Sequence, residues 1–199
     1  IDNSKALQQI SKMVKQIVTD ADMPEETANS IKEAYRKLGG GLVAVRSSAT
    51  AEDLPDASFA GQQSTFLNVQ GEDAVVTAVQ ECWASLFEAR AIFYRVQQNF
   101  DHFKVGIAVP VQKMIQSTAS GVMFTIEPVT SDRSKILIEA IFGLGEAIVG
   151  GEVKPDFYVI DKANMSISLK KVSHQDWQLT RNPDNGNSNT NIRAPIPQE

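Results

Sequence analysis

The order of apolar and polar positions predicts two helices at the start of the chain. From residue 3 to about residue 20, apolar side chains recur with helical spacing and Lys and Gln occupy the other side. Pro24 and two glutamates open a second helical pattern, which three consecutive glycines end at residues 39–41. The first forty residues are therefore predicted to form two amphipathic helices.

Two short apolar runs then predict strands on either side of a long polar loop. Residues 42–45 and 65–69 have β character, and Gly71 ends the second run. From residue 72 to about residue 99 the helical spacing returns, with a break expected near Glu88. Residues 1–100 are therefore predicted to form a first lobe of helices around a strand-flanked loop.

After residue 100 the pattern changes to β-rich segments separated by Gly, Pro, Ser and Asp. These segments are residues 105–115, 121–126, 135–140 and 157–160. They predict a second, β-rich lobe over residues 101–180. Residues 181–199 are rich in Asn, Ser and Pro and are predicted to be a flexible linker or tail. The expected fold class is α+β, with two lobes and mixed or antiparallel sheets.

Composition narrows the class of protein. With 199 residues and 42% hydrophobic content, the chain is long enough for one core or two small lobes. Its apolar runs are far shorter than the roughly 20 residues of a membrane span, so no membrane partner is expected. The net charge of −5 argues against a nucleic-acid surface. The single Cys82 allows no internal disulfide, which predicts a cytoplasmic protein.

The predicted loop has the composition of a phosphate-binding segment. Arg46 ends the first strand, and a guanidinium fork with hydroxyls beside it suits phosphate oxygens. Gly61 would let the backbone approach a ligand, and Thr65 offers a further hydroxyl. The other hydroxyl-bearing residues that follow the arginine are Ser47, Ser48 and Thr50. A polyanionic ligand would give these groups partners, whereas a buried hydroxyl without a partner costs about 1–3 kcal/mol.

The acidic residues of the same loop leave two other interpretations open. Arg46 could form an ordinary surface ion pair with Glu52 or Asp53. Together with Asp56, these carboxylates could also hold a metal, since hard cations prefer carboxylate oxygens. Solvated loop charges around a turn at Pro55 are the favoured interpretation. No metal site is therefore predicted within the chain.

Two later segments offer weaker signals for a nucleotide. Gln112 can donate and accept hydrogen bonds at a base edge, and Met114 and Ile115 could lie against the base. An ordinary apolar strand with one glutamine is the alternative. The glycine-rich run around Gly143 and Gly145 lacks the Lys-Ser/Thr ending of a P-loop and is not a dinucleotide fingerprint, so these glycines are interpreted as turns.

The histidines and the cysteine of the chain predict neither a metal site nor a catalytic nucleophile. His102 and His174 are the two histidines, and neither stands at the spacing of a metal site or a catalytic triad. Cys82 lies in an apolar helical pattern, where a buried structural thiol is expected. Nucleophilic catalysis by residues of this chain is therefore not expected.

Taken together, these segments resemble the nucleotide-binding domain of the phosphoenolpyruvate synthase family. The resemblance rests on VRSSATAEDLPDASFAGQQSTFLNV, VQKMI, SGVMFTIEPVT, GLGEAIVGG and KPDFYVI, in this order, and covers most of residues 1 to about 172. It implies part of an ATP-grasp-like domain in which ATP lies between two lobes and passes its β-phosphate to a histidine on a separate domain. The phosphohistidine would then phosphorylate pyruvate. The overall reaction would convert ATP, pyruvate and water into AMP, phosphoenolpyruvate and phosphate, with Mg²⁺.

The resemblance also implies roles for individual residues. Arg46 would be the catalytic residue at the terminal phosphates, and the loop from Gly61 through Gln62 to Thr65 would cover those phosphates. Glu146 would lie near the ribose. The base would be held by three residues near the start of the second lobe, namely Gln112, Met114 and Ile115.

The family's remaining functional parts are expected outside residues 1–199, because the chain starts at Ile1 without an initiator methionine. These parts are a phosphate-binding lysine, the metal ligands, and the phosphohistidine and pyruvate-binding domains of the same protein. The chain alone is therefore expected to be inactive. A rifamycin phosphotransferase domain shares VRSSATAEDLP and FAGQ, and a non-catalytic nucleotide-binding regulatory module is a further alternative. The KPDFY segment favours the synthase.

Overall fold

The computed structural model describes residues 4–49, 53–54, 57–58, 64–102, 104–182 and 190–196. The chain divides into two compact units, Ile1–Met114 and Ile115–Glu199. Helices and antiparallel ladders are both present, so the predicted α+β class is confirmed. None of the helices in the described ranges combines the length and the apolar character that crossing a bilayer requires.

The helices of the first unit follow the predicted pattern. They are α1 (Ser4–Asp20), α2 (Glu25–Lys37), α3 (Glu72–Ala84) and α4 (Ala89–Gln97), with a 3-10 turn at Ser85–Phe87. Glu88 has φ −58° and ψ 141°, which confirms the predicted break in the long helical stretch. The guanidinium of Arg36 donates two hydrogen bonds of 2.7 Å to Glu72, which join the end of α2 to the start of α3.

The strands of the first unit surround the predicted loop. They are β1 (Val43–Arg46), β2 (Ser48–Ala49), β3 (Asp53–Leu54), β4 (Ala57–Ser58), β5 (Thr65–Val69), β6 (Ile107–Ala108) and β7 (Val111–Lys113). A three-stranded antiparallel sheet has the order β5-β1-β7, while β2 pairs with β6 and β3 with β4. Three short strands therefore lie in the segment that the sequence predicts as a loop, because strands of two residues leave no periodic pattern to detect.

The core of the first unit lies between this sheet and α3. Val43 and Val45 are fully buried on β1, and Val75 and Cys82 are fully buried on α3. All four belong to one cluster that also contains Tyr35. Burial raises the pKa of the Cys82 thiol to about 11, so the thiol stays protonated near neutral pH. The predicted buried structural cysteine is confirmed.

Tyr35 joins the start of β1 to the end of β5 through hydrogen bonds of its hydroxyl. Its hydroxyl donates to the carbonyl of Gly41, just before β1, at 2.6 Å and accepts from the N–H of Gly71, just after β5, at 3.1 Å. We expect Tyr35→Phe to lower the free energy of unfolding by about 1–3 kcal/mol, because the buried Tyr35 side chain loses two hydrogen bonds. Urea unfolding monitored by tryptophan fluorescence measures this loss.

Tyr158 provides a matched control for this prediction. Its hydroxyl donates one long hydrogen bond of 3.4 Å to Asp156 in the second unit. Tyr158→Phe is therefore expected to change the free energy of unfolding by less than about 0.5 kcal/mol. Equal losses in the two variants would contradict the structural role given to the Tyr35 hydroxyl.

The second unit is built on a four-stranded antiparallel sheet of order β11-β10-β9-β8. Its elements are β8 (Ala119–Phe124), β9 (Lys135–Phe142), α5 (Glu146–Val149), β10 (Asp156–Asp161), β11 (Ser166–Lys171), β12 (Trp177–Arg181) and β13 (Asn191–Pro195). The sequence predicts β8, β9 and β10 but misses the last three strands. β11 is exposed at all six positions, so no buried apolar run marks it.

The boundary between the units differs from the predicted one. The sequence places it after residue 100, whereas the compact units divide after Met114. The reason is pairing: β6 and β7, which open the predicted second lobe, form ladders with β2 and β1 of the first unit. Hydrogen bonding to an earlier strand therefore decides which unit these residues join.

The predicted linker also differs from the structure. Residues 191–195 form β13, which pairs with β12 from Trp177 opposite Pro195 to Arg181 opposite Asn191. The guanidinium of Arg193 lies 4.2 Å from the centre of the Trp177 ring, a cation–π contact across the hairpin. Residues 183–189 and 197–199, the rest of the predicted tail, lie outside the described residues.

Candidate functional site

The side of the β5-β1-β7 sheet that faces away from the core carries three of the predicted site residues. Arg46 is exposed and lies opposite Thr65 on β5, which is also exposed. Gln112 on β7 is exposed and lies opposite Ala44. Side chains alternate along a strand and directly opposed residues share a face. Arg46, Thr65 and Gln112 therefore share the face opposite to that of the buried Val45.

This common face brings the three residues within reach of one small ligand. Directly opposed Cβ atoms in an antiparallel ladder are about 4.5–5.5 Å apart, which applies to Arg46 and Thr65. Gln112 is the diagonal neighbour of Arg46 across the β1–β7 pair, at about 7–8 Å. A guanidinium, a hydroxyl and an amide are thus exposed on one face of the sheet, which suits a ligand with both an anionic end and a polar ring.

The turn after Arg46 is fixed by backbone carbonyls. The N–H and the hydroxyl of Ser47 both donate to the carbonyl of Ser64 at 3.1 Å. The N–H of Arg46 donates to the carbonyl of Pro110 at 3.1 Å. Ser47, which the sequence places among the phosphate-binding hydroxyls, therefore uses its hydroxyl to join the two strands. The difference arises because Ser47 directly follows β1 and lies beside Ser64, which directly precedes β5.

Several predicted residues of the loop lie outside the described residues. They include Gly61 and Gln62, with Thr50, Glu52 and Asp56, and the side chain of Asp53. Their predicted roles stay predictions, and so does the alternative that Arg46 pairs with an acidic residue of the loop. The ion pairs of the described residues do not include Arg46. In the same part of the chain, His, Cys, Asp and Glu nowhere form a group of three that could hold a metal.

The residues predicted to hold the base are distributed over both units. Met114 continues the β1–β7 ladder, because its N–H donates to the carbonyl of Leu42 at 2.9 Å. Its side chain is half-buried. Ile115 is the first residue of the second unit, and 72% of its surface is exposed. Gln112 and Met114 thus belong to the same sheet as Arg46, whereas Ile115 belongs to the next compact unit.

Glu146, the predicted ribose residue, begins α5 after a glycine turn. Gly143 has φ +76°, a conformation that favours glycine, and Gly145 has an ordinary helical φ of −64°. The carbonyl of Gly143 accepts hydrogen bonds from the hydroxyls of Ser117 at 3.2 Å and Ser120 at 2.7 Å. Gly145 lies in a turn, as predicted, whereas Gly143 pairs with Leu179 in an isolated bridge, and an exposed Glu146 follows at the start of α5.

Asn191 is a residue that the sequence does not single out. Its Nδ2 donates to Oε2 of Glu146 at 2.8 Å. It lies at the start of β13, in a segment whose Asn, Ser and Pro content predicts a linker. The five-residue run NIRAP, with one β-branched residue, gave no strand pattern that could have marked it.

One of the two histidines contacts a buried arginine, and the other lies on the surface. Nδ1 of His102 accepts a hydrogen bond of 2.9 Å from Nε of Arg95, whose side chain is buried and also donates to the carbonyl of Leu86. Burial lowers the pKa of the Arg95 guanidinium. His174 lies 2.7 Å from Asp176, and both side chains are exposed. Neither arrangement joins the face that carries Arg46.

A family model and individual relatives both relate this chain to the same group of proteins. A family model described as the pyruvate phosphate dikinase AMP/ATP-binding domain matches residues 1–198. The phosphoenolpyruvate synthase of Pyrococcus furiosus and a probable one of Pyrococcus abyssi are each 48% identical over 200 residues, which cover 98% of this chain and 24% of those proteins. A probable phosphoenolpyruvate synthase of Archaeoglobus fulgidus is 54% identical over 186 residues, 91% of this chain and 25% of that protein. The chain thus spans about a quarter of these curated relatives, and the resemblance predicted from its motifs is confirmed.

Proposed function

Because this chain belongs to the family of pyruvate phosphate dikinase AMP/ATP-binding domains, we propose that it is part of the ATP-binding domain of a phosphoenolpyruvate synthase. The domain has an ATP-grasp-like arrangement and forms part of a longer, cytoplasmic protein. That protein transfers the β-phosphate of ATP to a histidine of another domain and from there to pyruvate. AMP, phosphoenolpyruvate and phosphate are the products.

The position of Arg46, Thr65 and Gln112 on one face of the sheet is the observation that supports this proposal most directly. Arg46 binds the terminal phosphates through its guanidinium fork, and Thr65 donates its hydroxyl beside it. The loop with Gly61 and Gln62 covers these phosphates. The base is held by Gln112, Met114 and Ile115, and the ribose by Glu146.

Arg46 supplies positive charge where the transfer step needs it. A nitrogen of the accepting histidine forms a bond to the β-phosphorus, the bond from that phosphorus to the bridging oxygen of the α-phosphate breaks, and AMP leaves with the electron pair. Water then cleaves the bond between the β- and γ-phosphates, which releases phosphate and leaves the β-phosphate on the histidine. Negative charge shifts among the phosphates during the transfer step, and the positive charge of the guanidinium stabilises it. The accepting histidine is proposed to belong to another domain of the longer protein, as in the family that this chain resembles.

Mg²⁺ is part of the proposed reaction, but the described residues do not fit its binding. They contain no group of three carboxylate, histidine or cysteine side chains that could hold a metal. The metal ligands are proposed to come from outside this chain, as are the phosphohistidine domain and the pyruvate-binding domain. The chain by itself then binds ATP without turning it over.

Calorimetric titration of the 199-residue chain tests the nucleotide site. With Mg²⁺ present, we expect saturable binding of ATP. Inorganic triphosphate should bind more weakly, because it has no base for Gln112, Met114 and Ile115 to contact. GTP should bind more weakly than ATP, since its base edge reverses a donor and an acceptor. If a folded chain binds triphosphate and ATP with equal affinity, the proposed base site is wrong.

The phosphate acceptor is tested in the longer protein. We expect AMP formation that depends on pyruvate and is not supported by a rifamycin, because phosphoenolpyruvate synthases are the relatives found and KPDFY follows the GLGE run. AMP formation with a rifamycin alone would contradict the proposed substrate. A protein that binds ATP but forms no AMP with either compound would instead be a regulatory module.

A further inference from the structure

Hydrogen bonds and an ion pair join the β12–β13 hairpin to the segment that contains Glu146. An isolated parallel bridge joins Gly143 to Leu179 of β12, and the N–H of Leu144 donates to the carbonyl of Leu179 at 2.8 Å. On the other side of α5, the guanidinium of Arg193 on β13 lies 2.6 Å from Oε2 of Glu152. Contacts on both sides of α5 therefore fix the hairpin relative to the start of this helix.

Asn191 lies two residues before Arg193 on β13, beyond the pair of Leu179 with Arg193, and contacts Glu146 itself. Its backbone is held by the pair with Arg181 and by the following pair of Ile192 with Thr180. The next rung, where the N–H of Asn182 donates to the carbonyl of Thr190 at 3.1 Å, extends the ladder beyond the strand. From this position, Nδ2 of Asn191 donates to Oε2 of Glu146 at 2.8 Å. The amide is therefore presented to the carboxylate by a paired strand.

We infer that Asn191 is a positioning residue that orients the Glu146 carboxylate toward the ribose hydroxyls of the nucleotide. An amide donor engages one carboxylate oxygen without neutralising the charge, and the described residues place no hydrogen bond on Oε1. Oε1 is then the acceptor for a hydroxyl of the ribose. This inference rests on the proposed function, because it takes Glu146 to be the ribose residue.

A positioning residue is useful here because an exposed glutamate side chain can adopt several conformations. Glu146 is exposed at the first position of a four-residue helix, so its side chain has several rotamers available. Ordering a glutamate side chain on binding costs rotamer entropy, and a side chain ordered before binding avoids that cost. Asn191 is expected to affect ribose-containing ligands selectively, since a nucleotide without ribose hydroxyls gains nothing from an oriented carboxylate.

The test compares ATP with 2′,3′-dideoxy-ATP by calorimetry on the 199-residue chain, with Mg²⁺ present. We expect the wild-type chain to prefer ATP by about tenfold, the usual effect of a hydrogen bond to a charged group. Asn191→Ala should reduce this preference to about threefold while the affinity for dideoxy-ATP stays the same. Asn191→Asp should reduce it further, because it removes the donor and sets two carboxylates side by side.

Two further variants complete the comparison. Glu146→Gln should lose most of the preference for ATP. Asn164→Ala is the matched control, because the Asn164 side chain accepts a hydrogen bond from Ser166 N–H in a turn of the same unit, and it should keep the full preference. Thermal unfolding of each variant shows whether the hairpin is intact.

The possible outcomes separate this inference from the proposed function. An unchanged preference in Asn191→Ala overturns the positioning role, and so does an equal loss of both nucleotides together with a lower unfolding temperature, which indicates a structural role. An unchanged preference in Glu146→Gln also overturns it but leaves ATP binding itself in place. A folded wild-type chain that does not bind ATP overturns the proposed function, and the inference with it.

Discussion

Arg46→Ala is expected to weaken ATP binding by this chain about a hundredfold and to leave AMP binding nearly unchanged. Two charge-assisted hydrogen bonds from a guanidinium fork to phosphate oxygens contribute about 3 kcal/mol together. AMP lacks the terminal phosphates that Arg46 is proposed to bind. The exposed position of Arg46 on the sheet face, opposite Thr65, allows this substitution without disturbing the core. Calorimetric titration of both nucleotides measures the two effects separately.

Two control variants show whether ATP binding depends on the geometry of the Arg46 guanidinium or on its charge alone. Arg46→Lys keeps the charge but loses the fork, so it should weaken ATP binding by about tenfold. Arg90 is an exposed arginine on α4, and Arg90→Ala removes the same charge from the first unit without an expected effect on ATP. Equal weakening of ATP and AMP in Arg46→Ala would place the arginine elsewhere on the nucleotide, and unchanged ATP binding would remove it from the site.

Gly143→Ala is expected to destabilise the second unit by at least about 3 kcal/mol. The φ of +76° at this residue is costly for any residue with a Cβ. A Cβ built on Gly143 would also lie 2.3 Å from the carbonyl oxygen of Leu179, which is backbone and is fixed by its pairing in β12. The substitution must therefore break the Gly143–Leu179 bridge and separate the β12–β13 hairpin from the start of α5.

Gly145→Ala is the matched control, two positions along the same turn. Gly145 has a φ of −64°, and a Cβ there would lie 3.4 Å from Cβ of Ser120, so we expect a change below about 1 kcal/mol. The two tryptophans of the chain lie in different units, Trp83 on α3 and Trp177 on β12. In a Trp83→Phe background, urea unfolding followed by Trp177 fluorescence therefore reports the second unit. An unfolding midpoint of Gly143→Ala equal to that of Gly145→Ala would contradict the steric argument.

The local pattern of the sequence determined most of the helices and the residue types at the candidate site. Helical spacing, the glycines after α2 and the break at Glu88 depend on neighbouring residues, so they could be predicted without a fold. The strand before Arg46 and the strand that begins at Thr65 were predicted for the same reason. The motif order then indicated the family. The roles of Gly61 and Gln62 stay predictions, because both lie outside the described residues.

The tertiary structure alone decided how these pieces meet. The register of β7 against β1 puts Gln112 on the same face as Arg46, and no local pattern specifies the pairing of strands so far apart in sequence. The register of β5 against β1 brings Ser64 next to Ser47, whose hydroxyl donates to the Ser64 carbonyl. β13 becomes a strand because β12 offers it a ladder, and this brings Asn191 to Glu146. A polar segment with weak intrinsic preference takes its structure from the hydrogen-bond partner that the fold supplies, so its role could be recognised only once that partner was in place.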